Sequence, residues 1–319
     1  FHPMSPRVPA AASLALISLF ALLVPRLAAQ TGSEQRRVLE VAGTRRSYAL
    51  YLPPSHRRER PLPLVLVFHG AGGRGVGMAR HTGMSRLAER EGFAVVYPDG
   101  ANRRWNDGRG IGGARDDVGF IRALLDTIGR EIAIDRGRIY ATGISNGATF
   151  LHRLGCELPG VIAAIAPVAG SMPVPVSERC PAAEAGAGGS DGAAPSPPAV
   201  LAIQGTADRF MPFEGGQGAG GGRPVLSARA TADFWARLNG CVGPAVGEAL
   251  TDTVRDGTRL RRERYTGCRG GGAVELVTVE GGGHTWPGGP AAAMRVGPAS
   301  REIDATRAIW TFFQAHPGP

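Results

Sequence analysis

Lysine is missing from this 319-residue chain: all 36 basic residues are arginine, and the formal net charge is +9. Beside 48 glycines and 25 prolines, an arginine-only basic set reads as the codon habit of a GC-rich genome. Aromatic residues are scarce, at 6%. The arginines in "RHTGMSRLAERE", "RGRIY" and "RLRRERY" are scattered and mixed with acids, with no aromatic-studded basic stripe, so no nucleic-acid partner is expected. Cysteine occurs four times without a C-x-x-C pair or a nearby pair of histidines, which argues against zinc and leaves no metal site in view. No second long apolar run follows the one near the N-terminus, which excludes a multi-span membrane protein. No internal repeat is visible, and no linker is long enough to demand a second domain.

What is present begins with a processing segment. "MSPR" from Met4 supplies a short positive region, residues 10–24 form an apolar run, and "PRLAAQ" ends in small residues. This pattern predicts a secretory signal over residues 1–29, cleaved near Ala29, with an uncleaved anchor as the alternative. No cysteine lies there to carry a lipid, and loss of Arg7 and Arg26 leaves a charge of about +7. The mature chain, 30–319, is expected outside the cell or in a periplasm, without stable membrane association. In that compartment Cys156, Cys180, Cys241 and Cys268 form disulfides. Three pairings exist, of which the local one, Cys156–Cys180 with Cys241–Cys268, is favoured.

After a mobile stretch to about Arg37, "SYALYLP" (47–53) alternates like an edge strand. Apolar strand-like runs recur at 64–68, 93–98, 138–143, 162–170, 199–205 and 274–281. Helix-like patterns lie between them: "MSRLAERE", "DDVGFIRALLDTIGREI", "NGATFLHRLGCEL", "ARATADFWARLNG" and "REIDATRAIWTFFQAH". Alternation of this kind predicts one α/β domain, with a mostly parallel central sheet and helices on both faces. Residues 181–199 are a low-complexity insert, and 215–223 and 269–272 are glycine-rich in the same manner.

Two motifs compete for the chemistry. "HGAGGRG" contains G-x-G-x-x-G (Gly70, Gly72, Gly75) after a strand, and Asp99 closes the next apolar run, as in a dinucleotide-binding unit. The fit is poor, because His69 intervenes after the strand and Val76 and Gly77 separate Gly75 from the helix pattern. The third glycine is then incidental. The other motif is G-x-S-x-G, found at 143–147 and 188–192. Only the first copy has a strand before it and a helix pattern after it, which makes Ser145 the candidate nucleophile. Its partners follow in the order of α/β-hydrolases: Asp208 after "AVLAIQGTAD" and His284 after "VELVTVEGGG". His152 falls within a helix pattern and His316 at the terminus, so neither competes as the base. Acyl transfer needs two N–H donors for the oxyanion. Asn146 supplies one, and the "HGAGG" loop the other, through Ala71 first and Gly72 next, with His69 buttressing the loop. Trp105 and Trp286 are candidate aromatic walls for substrate, and Asp116 and Asp117 candidate N-caps.

"RSYALYLPP", "PLVLVFHGAGG", "IYATGISNGA", "AAIAPVAGSM", "IQGTAD…MPFEGG" and "GGGHTWPGG" together resemble the polyhydroxybutyrate depolymerase/feruloyl esterase family, with its LpqC-like members, related to carbohydrate esterase family one. The similarity runs over about residues 36–315. It implies an α/β-hydrolase fold, secretion, no cofactor, and a triad carried by Ser145, Asp208 and His284. The activity implied is hydrolysis of feruloyl or acetyl esters of plant polysaccharides, or of polyhydroxybutyrate. A non-catalytic polymer-binding protein is the alternative from another class, and the intact triad opposes it.

Overall fold

The computed structural model describes residues 1, 32–111, 113–180, 196–290 and 296–318. The expected signal segment, the second G-x-S-x-G and most of the 181–199 insert lie outside them. Ala199, shared by the expected insert and the strand-like run at 199–205, belongs to the strand.

The continuous apolar runs form the middle of a ten-stranded sheet. In β3 (Leu62–Phe68), β4 (Ala94–Pro98), β6 (Ala164–Val168) and β7 (Ala199–Gly205) every residue is buried, as strands covered on both faces require. With β5 (Ile134–Ile144) and β10 (Val274–Glu280) they make a parallel block in the spatial order β4-β3-β5-β6-β7-β10. Antiparallel strands extend both sides: β2 (Thr44–Tyr51) and β1 (Gln35–Val41) beyond β4, and β9 (Arg259–Tyr265) and β8 (Val246–Ala249) beyond β10. The chain is therefore an α/β protein with a mostly parallel sheet.

Two expectations change at the edges. The segment expected to be mobile up to Arg37 enters β1 at Gln35, so β1, not β2, is the edge strand. The charged run "RLRRERY" is β9, because an antiparallel strand near an edge buries only one face. Its arginines meet acids on neighbouring strands: Arg264 with Glu248 at 2.9 Å and Glu275 at 3.2 Å, and Arg262 with Glu275 at 3.7 Å.

Helices cover both faces. On one, α3 (Asp117–Glu131), α4 (Asn146–Glu157) and α6 (Ala228–Leu238) bring Phe120, Leu124, Phe150, Leu154 and Trp235 into one apolar core. On the other, α1 (Gly75–Thr82), α2 (Met84–Glu91) and α7 (Ala305–Ala315) bring Met78, Leu87, Ile309, Trp310 and Phe313 into a second. Burial of each such side chain stabilises by about 1.5–3 kcal/mol. Side-chain caps fix several helix starts: Asp116 accepts from Gly119 N–H, Ser227 from Ala230 N–H and Asp304 from Arg307 N–H. The disulfides pair locally. Cys156–Cys180 joins the end of α4 to the chain after the short α5 (Val174–Ser177), and Cys241–Cys268 joins the residues that follow α6 and β9.

Candidate active site

Ser145 sits between the last residue of β5 and the first of α4, with φ 59° and ψ −125°. A non-glycine residue is rarely found there, and holding it costs about 1–3 kcal/mol, which the surrounding packing must offset. Gly147 makes the turn feasible, because a Cβ there would stand 2.7 Å from the His69 carbonyl oxygen. The loop after β3 lies directly against the serine: a Cβ at Gly70 would be 3.2 Å from Ser145 Cβ.

Asp208 and His284 leave the carboxyl ends of β7 and β10, and His284 Nδ1 lies 2.8 Å from Asp208 Oδ2. Three donors orient the carboxylate: the Phe210 and Met211 N–H groups on Oδ1, each at 2.8 Å, and Gln204 Nε2 on Oδ2 at 3.2 Å. With Nδ1 donating to the carboxylate, a neutral His284 ring keeps its lone pair on Nε2. Among the described residues no hydrogen bond joins the Ser145 hydroxyl to the His284 ring; such contacts are often loose before substrate binds.

In the "HGAGG" loop, Gly72 N–H is engaged by the Arg103 carbonyl at 2.8 Å. Among the described residues no hydrogen bond engages the N–H of Ala71 or of Asn146. His69 is buried beneath the loop. Its Nε2 accepts from Gly100 N–H at 2.9 Å, which places the ring proton on Nδ1, 2.8 Å from the Gly70 carbonyl. Burial lowers its pKa, so the ring is neutral near pH 7.

The apparent dinucleotide fingerprint resolves otherwise. Gly75 opens α1, contrary to the expected separation from a helix, and its N–H donates to Asp99 Oδ1 at 2.7 Å. The acid of the fingerprint thus occupies the helix N-terminus that a pyrophosphate would need. Nor is the third glycine incidental: a Cβ on Gly75 would lie 2.2 Å from the Tyr97 carbonyl oxygen.

Both tryptophans expected at the substrate surface are in the core. Trp105 is 0% exposed, stacked on Phe150 at 5.2 Å, with its Nε1 donating to the His69 carbonyl. Trp286 is 2% exposed and donates from Nε1 to Thr306 Oγ1. Neither ring presents a face to substrate. Both have a polar edge with a partner inside the protein, and burying such a ring removes far more apolar surface than exposing it would. The exposed aromatic beside the base is Phe210, 39% exposed, its ring 5.2 Å from that of His284.

Sequence reasoning missed the buried braces. The Asn146 side chain accepts from Trp105 N–H at 2.8 Å and donates to the Trp105 carbonyl and to Asp107 Oδ2. Asp107 also takes Thr149 Oγ1 at 2.7 Å and the Arg109 guanidinium at 2.8 and 2.9 Å, in a fully buried ion pair. Asp116 caps α3 as expected, but Asp117 does something else. It accepts from Arg46 at 2.6 Å and from Asn106 N–H at 2.7 Å, fixing the Trp105 loop. The one signal for these roles was the acid after a polar turn in "RRWNDG". His152 is fully buried and lowered to about 4 by desolvation, with Trp235 Nε1 donating to its Nδ1, so it is no rival to His284. Among the described residues no group of three or more His, Cys, Asp or Glu could hold a metal, and no helix is long and apolar enough to cross a membrane.

The chain matches the family model of esterase PHB depolymerase over residues 46–212, a span that includes Ser145 and Asp208 and stops short of His284. It is 32% identical over 311 residues to putative esterase NocK of Nocardia uniformis subsp. tsuyamanensis, covering 92% of this chain and 86% of that protein. Feruloyl esterase B of Piromyces equi is 30% identical over 246 residues, 75% of this chain but 42% of that longer protein. Among solved structures, acetyl xylan esterase from Aspergillus awamori superposes with a TM-score of 0.56 at 18% identity, over 80% of this chain and 94% of the other, a likeness of fold.

Proposed function

The chain belongs to the esterase PHB depolymerase family, and from that premise we propose that it is an exported serine carboxylesterase. The observation that carries this reading is the 2.8 Å contact of His284 with a thrice-anchored Asp208, on the sheet end where Ser145 stands on its strained turn. Ser145 Oγ attacks the ester carbonyl as His284 Nε2 takes its proton, and Asp208 steadies the imidazolium that forms. The oxyanion accepts from Ala71 and Asn146 N–H; one such donor is worth about 3–4 kcal/mol in the transition state. His284 then protonates the leaving alcohol, and water, deprotonated by the same ring, cleaves the acyl-enzyme. No cofactor enters this scheme.

For the acyl group, feruloyl or acetyl esters of plant polysaccharides are the first reading. The relatives named feruloyl esterase and the half-exposed Phe210 ring beside the base favour it. Polyhydroxybutyrate is the second reading, favoured by the family's own description. Export rests on the apolar leader and on the two disulfides, which persist in oxidising compartments.

The test has two parts. Ser145→Ala is expected to lower p-nitrophenyl acetate turnover to below about one-thousandth of wild type, and undiminished turnover would reject the nucleophile. Parallel assays on methyl ferulate, acetylated xylan and a polyhydroxybutyrate suspension then rank the substrates.

A further inference from the structure

The "HGAGG" loop after β3 is gripped from outside by the loop after β4. Gly73 N–H closes a tight turn on the Gly70 carbonyl at 2.9 Å, with Gly72 at φ 81°, the left-handed third residue of a type II turn. The Gly70 carbonyl also lies 2.8 Å from His69 Nδ1, which carries the ring proton. The carbonyl and N–H of one trans peptide unit point opposite ways, so these two donors fix the direction of the Ala71 N–H. The same turn starts against Ser145, since a Cβ on Gly70 would stand 3.2 Å from Ser145 Cβ.

Arg103 holds the next two peptide units. Its carbonyl accepts from Gly72 N–H at 2.8 Å, and its Nη2 donates to the Gly72 carbonyl. Its own N–H donates to the Gly100 carbonyl at 3.0 Å, while Gly100 N–H reaches His69 Nε2. The backbone here is unusual as well, with φ 52° at Asn102 and 60° at Arg103. Among the described residues six non-glycine residues have a positive φ; these two are the only adjacent pair, and Ser145 is another. Glycine would take such a conformation more easily, and the chain has 48 of them, so an arginine kept there points to its side chain. That side chain is exposed, and its one hydrogen-bond partner among the described residues is the Gly72 carbonyl. A solvent-exposed bond of this kind adds little to stability, which leaves the geometry of the turn as what it serves.

We propose that Arg103 is a positioning residue of the oxyanion site, an inference that rests on the serine-esterase reading. By holding Gly72 from both its N–H and its carbonyl, Arg103 keeps the turn from rotating and so keeps the Ala71 N–H aimed at the charge that forms beside Ser145. It acts through the turn and touches neither substrate nor reacting atoms.

Two variants of the full chain test this. Arg103→Met keeps a long side chain and removes the donor, whereas Arg103→Lys keeps a donor for the Gly72 carbonyl. On p-nitrophenyl acetate, Arg103→Met is expected to lower kcat by about 5–20-fold with KM within about twofold, less than outright loss of an oxyanion donor costs. A trifluoromethyl ketone, whose adduct with Ser145 carries the same oxyanion, should lose affinity by about the same factor. Arg103→Lys should recover most of both losses, and Tm should stay within about 2 °C of wild type in both variants. Wild-type kcat in Arg103→Met, a rise in KM with ketone affinity unchanged, or a fall in Tm that accounts for the fall in kcat would overturn the proposal. Each of those results leaves Ser145-dependent turnover in the wild type intact. Absence of that turnover would instead reject the esterase reading, and this inference with it.

Discussion

The two walls of the candidate site around Ser145 are built differently. On the nucleophile side, Asn146, Trp105, Asp107, Thr149 and Arg109 are tied by buried side-chain hydrogen bonds, with His69 and Asp117 bracing the same loops from below. On the acid–base side, Asp208 is steadied mainly by two backbone N–H groups, His284 is 11% exposed, and Phe210 stands half out in solvent. In the proposed reaction the first wall would present fixed N–H groups to a charge that exists only in the transition state, and fixed dipoles are what stabilise such a charge. In the same proposal the second would pass a proton between three oxygens and meet the variable part of the substrate. On that proposal the denser side-chain network lies where the chemistry is constant.

The strongest way to break this contrast is Asp208→Asn. Without the carboxylate the His284 tautomer is no longer fixed, and kcat on p-nitrophenyl acetate is expected to fall by about 10³–10⁴. Tm should move little, because the amide oxygen can still accept from Phe210 and Met211 N–H. A large loss of Tm would show that this wall is as structural as the other.

Asp107→Ala addresses the braced wall, with the effect reversed in kind. It strands the Arg109 guanidinium in the core, a change that destabilises by about 3–5 kcal/mol, readable by urea unfolding. Turnover per folded molecule should fall far less than in Asp208→Asn. A loss under about 1 kcal/mol would mean that the network adds nothing to the wall.

The contrast also marks what could be read from the sequence. The parallel strands were legible because burial on both faces leaves an unbroken apolar run, and the proposed triad could be picked out because each member follows such a run. β9 was not, since a solvent-facing strand offset by cross-strand acids resembles a polar loop in one dimension. The same limit hid Asp107 and Gln204, whose partners are distant in sequence or carry no motif of their own. Trp105 and Trp286 were misplaced for a related reason. Being on a loop at the active end of the sheet does not say which way a ring turns, and both found a buried partner for the indole N–H. Phe210, which falls in the gap of "IQGTAD…MPFEGG", became visible through its contact with His284.

A smaller effect is expected from pH. His152, on the helix behind Ser145, titrates at about 4 in the fold against 6.5 as its ordinary value, because burial disfavours its charged form. Between these values the unfolded chain binds a proton that the folded chain does not, so stability rises with pH across the window. It is lost as pH falls from about 6.5 toward 4, by up to about 3 kcal/mol from this residue. His56, His69 and His81 are lowered by burial too and add in the same direction. Urea unfolding between pH 4.5 and 7 should show this slope, and His152→Gln should flatten part of it. A flat wild-type profile would contradict the assignment.

The smallest and most selective prediction concerns Phe210 on the open wall. Its backbone N–H serves Asp208 and remains after substitution, so Phe210→Ala removes only the ring. If that ring packs against an aromatic acyl group, the loss is about 1–2 kcal/mol of transition-state binding, or roughly 5–30-fold in kcat/KM on methyl ferulate. An acetyl group is too small to use a ring on the outer side of His284, so p-nitrophenyl acetate turnover should change by less than about threefold. Equal losses on both esters would instead mean that Phe210 holds the His284 ring in place, and the acid–base wall would then be braced by its own exposed aromatic.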